Sequence, residues 1–189
     1  MNALKLFSEE NMGETLLMIK SMPQGANILD VDLTNPENSI FIPVNCVGVM
    51  GKGLALDFKK MYPNYFRKYK LFCRGGHLET GFPLVLGSHY AFPSAVSSVA
   101  ANWGSSGLVV LFPTKDDWRN PSQLDWVKQG IVELAVSCNS DYHGWRKQTR
   151  NIHIPKLGCG LGGLNWSDVR PLIEQFAEMM PEHQIYLYE

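Results

Sequence analysis

Short apolar runs alternate along the chain with stretches whose apolar positions recur at helical spacing, and this alternation sets the expected elements. Ile40 to Val44 is a nearly continuous apolar run with Pro43 inside it, and Leu84 to Gly87, Leu108 to Phe112 and Asn151 to Pro155 have the same character. Runs of this length without polar alternation predict strands buried on both faces. Pro43 weighs against the first, because proline cannot donate to a sheet ladder. Gln184 to Tyr188 alternates and predicts a closing strand. Asn27 to Leu33 alternates enough to predict another, ending in the turn signal Asp32-Leu33-Thr34-Asn35-Pro36.

Helical spacing recurs in four later places. Leu54, Ala55, Phe58, Met61 and Tyr62 make one apolar face up to Pro63, and a second helical stretch runs from Asn64 to Cys73 before Gly75-Gly76. Leu124, Val127, Ile131, Leu134 and Ala135 align on a helix expected to open at Asn120-Pro121, with the cap followed by proline in the first turn. Val169, Leu172, Ile173, Phe176 and Met180 align on another, capped by Asn165 or Ser167. Near the start, Ser8, an acidic first turn, Leu16, Leu17 and Ile19 predict a helix over Ser8 to Met22, stopped by Pro23 and Gly25. Tyr90 to Ser106 and Asn139 to Arg150 lack a clear period and are expected as connections. Strands separated by helices predict an α/β sandwich with helices on both faces, a single domain over residues 1–189 with residues 1–26 as a helical extension. Ligands in such sheets bind at loops beyond the strand carboxyl ends.

Two glycine-rich loops occupy such positions. Leu157-Gly158-Cys159-Gly160-Leu161-Gly162-Gly163-Leu164 follows one strand, Asn45-Cys46-Val47-Gly48-Val49-Met50-Gly51-Lys52-Gly53 follows another, and a helix comes after each. A strand, glycine-rich loop and helix N-terminus commonly hold a phosphate, since orphan N–H groups and the helix dipole converge there. A structural tight turn is the alternative for either. Gly158-x-Gly160-x-x-Gly163 also fits a dinucleotide fingerprint, but only one helix and one strand follow it within the 189 residues, too little for the second half of that fold. Gly51-Lys52-Gly53 has the lysine of a Walker A loop without the Ser or Thr that should follow, so a metal-dependent triphosphatase is not expected. Two neutral loops clamping one ligand suggest a diphosphate held by backbone amides.

Composition narrows the classes further. With 45% hydrophobic and 19% charged residues the chain is ordinary for a globular protein. No run approaches the roughly 20 apolar residues of a membrane span, and Met1 to Lys20 has no signal-peptide core, so a cytoplasmic location is expected. Cys46, Cys73, Cys138 and Cys159 lie far apart, and His77, His89, His143, His153 and His183 show no ligand spacing, so neither metal nor cofactor is expected. Net charge is −1, yet seven basic residues between Lys52 and Arg74 face Asp57 alone. With Tyr62, Tyr65, Phe66 and Tyr69 interleaved, this stripe reads either as a single-strand nucleic-acid surface or as the solvated side of helices whose aromatics face the core.

Together, Val44 to Ala55, Phe112-Pro113-Thr114-Lys115 with Trp118-Arg119, and Leu157 to Trp166 resemble a macrodomain, over roughly Asn27 to Glu189. Within that superfamily they resemble the DarG type, which removes ADP-ribose from thymidine in DNA, and relatives that hydrolyse ADP-ribosyl esters. The resemblance implies a three-layer α/β/α fold with a mixed central sheet of about six strands. It implies that Asp32 holds the adenine amino group with the Leu33 amide beside it, and that Asn45 reaches the distal ribose. Gly51, Lys52, Gly53 and Leu54 would flank that ribose and the phosphates, while Gly158, Cys159, Gly160, Leu161 and Gly162 would form the diphosphate loop. Lys115 matches the lysine assigned to catalysis. Departures are visible too: Ile42 stands where the family has a first asparagine, and Gly162 stands where the ester hydrolases have an aspartate. The chain also lacks the C-terminal half through which DarG antitoxins bind their toxin.

The implied activity is an ADP-ribosyl glycohydrolase acting on a nucleic-acid base or on protein. The implied partners are ADP-ribose or an ADP-ribosylated macromolecule, single-stranded DNA among them, with a monomer expected and no membrane. The chemistry requires a proton donor to the departing base or a nucleophile at the cation-like ribose centre, and a desolvated lysine at a strand end serves either purpose. Taken without the resemblance, a lone lysine after a strand reads first as a snorkelling surface residue, and the resemblance reverses that reading. Asp116 and Asp117 are close enough in sequence to orient it or a water. A reader that binds ADP-ribose without cleaving it, and an ADP-ribose 1″-phosphate phosphatase, are the alternative functions.

Overall fold

In the computed structural model, residues 18–87, 107–139 and 149–189 are described. The buried runs form strands β1 (Ile19–Ser21), β2 (Asn38–Asn45), β3 (Leu84–Leu86), β4 (Leu108–Lys115), β5 (Asn151–Pro155) and β6 (Gln184–Tyr188). They make a six-stranded mixed sheet in the order β1-β6-β5-β2-β4-β3. Every neighbouring pair is parallel except β3 with β4. The helices are α1 (Gly53–Met61), α2 (Pro63–Arg74), α3 (Leu124–Asn139) and α4 (Trp166–Met179).

Alternation along the strands divides the core in two. Phe41, Val110, Phe112, Ile152 and Ile154 pack with Val127 and Ile131 of α3 and Ile173 and Phe176 of α4. Ile40, Ile42, Val44, Val109 and Leu111, on the other face, pack with Phe58 of α1 and Tyr65, Tyr69 and Phe72 of α2. Because both faces are covered, β2 and β4 carry continuous apolar runs. The second face of β5 and β6 is closed by side chains instead: His153 stacks on Tyr186 with ring centroids 4.7 Å apart and bonds the Tyr188 hydroxyl at 2.9 Å. Burial pushes the His153 imidazole down to about 4, so it is neutral there.

Three expectations are corrected. Ile19–Ser21, inside the predicted N-terminal helix, is an edge strand paired with Ile185–Leu187, and Gln184 Nε2 donates to the Met18 carbonyl at 2.7 Å. The free edge of β6 outweighs local helix propensity; residues 8–17 lie outside the described residues. Asn27 to Leu33 is not a strand but a 3₁₀ turn over Ile28–Asp30, because Asn27 Oδ1 accepts from the Leu29 amide at 3.0 Å and closes it. The helix expected from Asn120-Pro121 begins at Leu124. Asn120 Nδ2 is instead bonded to the Asp116 carboxylate, and Ser122 N donates to the Gly162 carbonyl at 2.9 Å, so tertiary partners hold this segment extended. Tyr90 to Ser106 and most of Asn139 to Arg150 lie outside the described residues.

Gly130 lets α3 approach the sheet, since a Cβ there would come 2.5 Å from Cζ of the fully buried Phe112. Gly130→Ala gains about 1 kcal/mol of helix propensity but forces overpacking of about 1–3 kcal/mol. A lower urea midpoint at unchanged slope is expected; a raised midpoint would show that α3 has room to move.

Candidate functional site

β2 pairs with β5 only from Asn38 to Ile40, whereas it follows β4 to the Asn45–Lys115 pair. Beyond Ile40 the two strands part, and only one ladder remains at Pro43, so its missing N–H is tolerated. Along this carboxyl edge opens a cleft of about 1210 Å³ lined by the last residues of four strands, Asn45, Lys115, Pro155 and Tyr188. That volume exceeds the roughly 300–1,000 Å³ usual for small-molecule sites, leaving room for a ligand the size of a dinucleotide and a group attached to it. After β2 the chain enters α1 on one face of the sheet and after β5 it enters α4 on the other, so this is a topological switch point of the sheet.

The first glycine loop forms one wall. Asn45 organises it: Oδ1 accepts from the amides of Val47 (3.1 Å) and Val49 (3.2 Å), and Nδ2 donates to the Val49 carbonyl (2.6 Å). The Tyr69 hydroxyl on α2 donates to the Asn45 carbonyl at 2.7 Å and lies 2.9 Å from its Oδ1. Burial raises the Tyr69 phenol well above its ordinary range and keeps it a donor. Gly48 has φ 80°, and its α-carbon hydrogen faces Lys70 and Cys73 of α2, so the loop lies flat on that helix. Gly51, Lys52, Gly53 and Leu54 line the cleft, and no side chain caps the start of α1. The first amides of α1 are left for a ligand.

The second loop closes the opposite wall. Gly158 (φ 71°) and Gly163 (φ 81°) turn the backbone, and Leu164 N donates to the Gly158 carbonyl at 3.0 Å. A Cβ at Gly162 would overlap the Gly158 carbonyl and the Ser122 hydroxyl. An aspartate therefore cannot stand at Gly162 without remaking the loop, and the lysine-plus-aspartate arrangement of the ester hydrolases is sterically excluded. The loops approach each other: a Cβ on Gly53 would lie 3.9 Å from Leu161 Cδ1. Lys115 bridges them, its Nζ donating to the Leu161 carbonyl at 2.7 Å.

Of the residues expected at the site, Lys115, Asn45, Gly51 to Leu54 and Gly158 to Gly162 all line this one cleft. Asp32 and Leu33 do not. Leu33 is in the core, and the exposed Asp32 carboxylate accepts from Thr34 N (2.8 Å) and Thr34 Oγ1 (2.7 Å), which lower its pKa. Burial raises the phenol of Tyr188 at the cleft, and the Asp30 charge at the end of the 3₁₀ turn adds to it. Asp116 and Asp117 do not orient Lys115; they hold Asn120 and Arg119. Of the seven basic residues in the stripe only Lys52 lines the cleft, and Tyr65 and Tyr69 are buried, so the aromatics serve the core. Pro155, Lys156, Tyr188, Trp166, Trp118 and Arg119 also line the cleft and were not singled out as site residues. For Tyr188 and Lys156 the available signal was their place at or just beyond a strand carboxyl end.

The described lining carries Lys52, Lys115, Arg119 and Lys156 and no aspartate or glutamate. An electropositive lining with free helix and loop amides suits a diphosphate. No group of three or more His, Cys, Asp or Glu suited to a metal occurs among the described residues, and no described helix is long and apolar enough to cross a membrane.

Gly160 and Gly162 of the second loop should respond differently. A Cβ on Gly160 meets nothing within 4 Å, so Gly160→Glu should leave the thermal midpoint near wild type while its charged side chain blocks a diphosphate. Gly162→Ala should instead lower the midpoint and weaken anionic-ligand binding together. Calorimetry and thermal melts on both variants check this; a folded Gly160→Glu protein with undiminished ADP-ribose affinity would place the ligand elsewhere.

Comparison with known proteins agrees with this geometry. The family profile described as Macro domain matches residues 42–173. A DNA ADP-ribosyl glycohydrolase of Thermus aquaticus is 32% identical over 157 residues, covering 83% of this chain and 39% of that protein. The chain thus spans about two fifths of that relative's length. The structure of the macrodomain of Mycobacterium tuberculosis DarG superposes with a TM-score of 0.70 at 28% identity, over 90% of this chain and 97% of that one. Thermosipho africanus DarTG in complex with ADP-ribose superposes with a TM-score of 0.68 at 27% identity, over 90% of this chain and 41% of that one. The profile match spans more than half of the sequence, and the chain belongs to the Macro domain family.

Proposed function

We propose that this protein binds ADP-ribose in the cleft and hydrolyses the glycosidic bond joining its distal ribose to a base of DNA. The observation that carries the reading is Lys115 Nζ, held 2.7 Å from the Leu161 carbonyl between the two glycine loops. Backbone amides of Gly51 to Leu54 and Gly160 to Gly162 supply donors for the diphosphate, with Lys52 and Lys156 as additional charge; the Cys159 amide is already bonded to the Lys156 carbonyl at 3.2 Å. Asn45 keeps a second amide N–H for the distal ribose, since only one is bonded within its loop. The T. aquaticus relative is named a DNA ADP-ribosyl glycohydrolase, which supports a nucleic-acid base as the leaving group.

Glycosidases generally use two carboxylates, and the described lining has none. The protein must stabilise the departing group instead. An ammonium has three protons; one fixes Lys115 on Leu161, and the others face the cleft beyond the ribose. As the bond breaks, negative charge grows on the base, and Lys115 donates a proton to it while water takes the vacated ribose carbon. Positioned proton transfer of this kind contributes about 10²–10⁴-fold.

Lys115→Ala should therefore lower turnover of thymidine-linked ADP-ribosyl DNA about 100-fold or more and leave ADP-ribose affinity within a few fold. Product release by chromatography and titration calorimetry separate the two effects. Unchanged turnover would remove Lys115 from the chemistry, and tight ADP-ribose binding by the wild-type protein with no turnover of DNA, protein or 1″-phosphate substrates would make it a reader.

A further inference from the structure

Beyond Lys115 the chain makes a tight turn whose one large side chain has no place in the core. Every other residue of the turn is braced. Asp116 donates no side-chain proton but accepts three bonds, from Asp117 N at 2.7 Å and from Asn120 Nδ2 at 3.1 and 3.2 Å, while its carbonyl accepts from Cys46 N at 2.9 Å. Asp117 grips Arg119 through a fork, Oδ1 to Nε and Oδ2 to Nη2, both at 2.8 Å, and accepts the Arg119 amide at 2.9 Å. These bonds hold the Asp117 carboxyl down at about 2. Trp118, in the middle, is 54% exposed, and its ring lies under the Arg119 guanidinium at 5.4 Å from carbon to centroid.

An indole left this open is a cost unless something covers it, and here it is held still rather than free to fold back. It also lines the cleft, three residues past Lys115. Leu161, 68% exposed, lines the same cleft on the loop whose carbonyl Lys115 holds. An exposed flat aromatic and an exposed aliphatic thus share the lining with the lysine. Arg119 adds a cation to the ring, but Asp117 neutralises it, so the platform offers a polarised π-face rather than a phosphate site.

We propose that Trp118, clamped by Arg119 and Asp117, is the platform on which the nucleobase carrying the ADP-ribose stacks, and that it sets the preference for an unpaired base as leaving group. The inference rests on the reading of the cleft as an ADP-ribose site with its distal ribose at Lys115. A base stacked there lies in reach of the lysine proton it must receive. Stacking one face on Trp118 requires that face to be free of a neighbouring base, so the nucleotide must be single-stranded or turned out of a duplex.

The test separates this platform from the clamp behind it. On a Lys115→Ala background, which stops turnover, affinities are measured for free ADP-ribose and for a short single-stranded oligonucleotide carrying ADP-ribose on one thymine. Stacking on an aromatic side chain predicts that the oligonucleotide binds tighter by about 5- to 150-fold. Adding Trp118→Ala should bring that ratio close to one, Trp118→Phe should keep most of it, and ADP-ribose affinity should stay within twofold throughout. A ratio unchanged by Trp118→Ala overturns the platform, as does an equal loss for both ligands. If wild-type protein binds both ligands and hydrolyses neither, the glycohydrolase reading fails while the ratio still decides the platform. If neither ligand binds, the ADP-ribose reading fails and the platform falls with it.

Discussion

The parting of β2 from β5 after three paired residues is the constraint on which the site depends. Had the two strands stayed paired to their ends, their carboxyl edges would be closed by ladder bonds and no cleft could enter between them. Once they part, the backbone of two loops is exposed at the fork and must find partners. The first loop is satisfied by Asn45 and the Tyr69 hydroxyl, the second by its own turns and Ser122 N. Beside these bonds, the start of α1 has no side-chain cap and the amides of Gly160 to Gly162 take no part in the loop's own turns, and all of these residues line the cleft. Tyr69 therefore links the core on the α1 and α2 side to the geometry of the site.

Charge then decides what fits. Lys52, Lys115 and Lys156, with no carboxylate among the described lining residues, make the cleft favourable for a dianionic ligand, Arg119 being paired with Asp117, and backbone donors fixed by packing need no reorganisation when it arrives. The Lys115 bond to Leu161 ties the end of β4 to the second loop and leaves two ammonium protons for other partners. Under the proposed function the same placement separates binding from chemistry, with the clamp on the diphosphate and the lysine on the bond beyond it. Gly162 marks the limit on the chemistry, since the loop leaves no space for a second ionisable group there.

Much of this was legible in the residues. The continuous runs of β2 and β4 announce strands buried on both faces, and the alternation in β6 matches a strand with one face in the helix-packed core and the other stacked on His153. Glycine spacing located both loops, and a lysine at a strand end adjoining them was visible as a candidate. What could not be read were outcomes fixed by distant partners. Ile19–Ser21 is a strand because β6 has a free edge, Asn27 to Leu33 curls because one asparagine side chain closes a turn, and Asn120-Pro121 fails to start a helix because Asp116 and Gly162 claim its neighbours. Trp118 escaped for a related reason: a solvated turn residue and a site residue look alike until the bracing of Asp116, Asp117 and Asn120 is seen. Asp32 and Leu33, expected from family resemblance, lie off the cleft lining.

The central claim is that the two glycine loops and the start of α1 grip one diphosphate ligand through backbone amides. Amide-resolved NMR during titration with ADP-ribose tests it most directly. The largest shifts and the strongest slowing of amide exchange should fall at Gly51 to Ala55 and Gly158 to Gly162, with the exposed Lys60 and Arg67 unaffected. Shifts centred on the α1 and α2 surface, or none at saturating ligand, would contradict it.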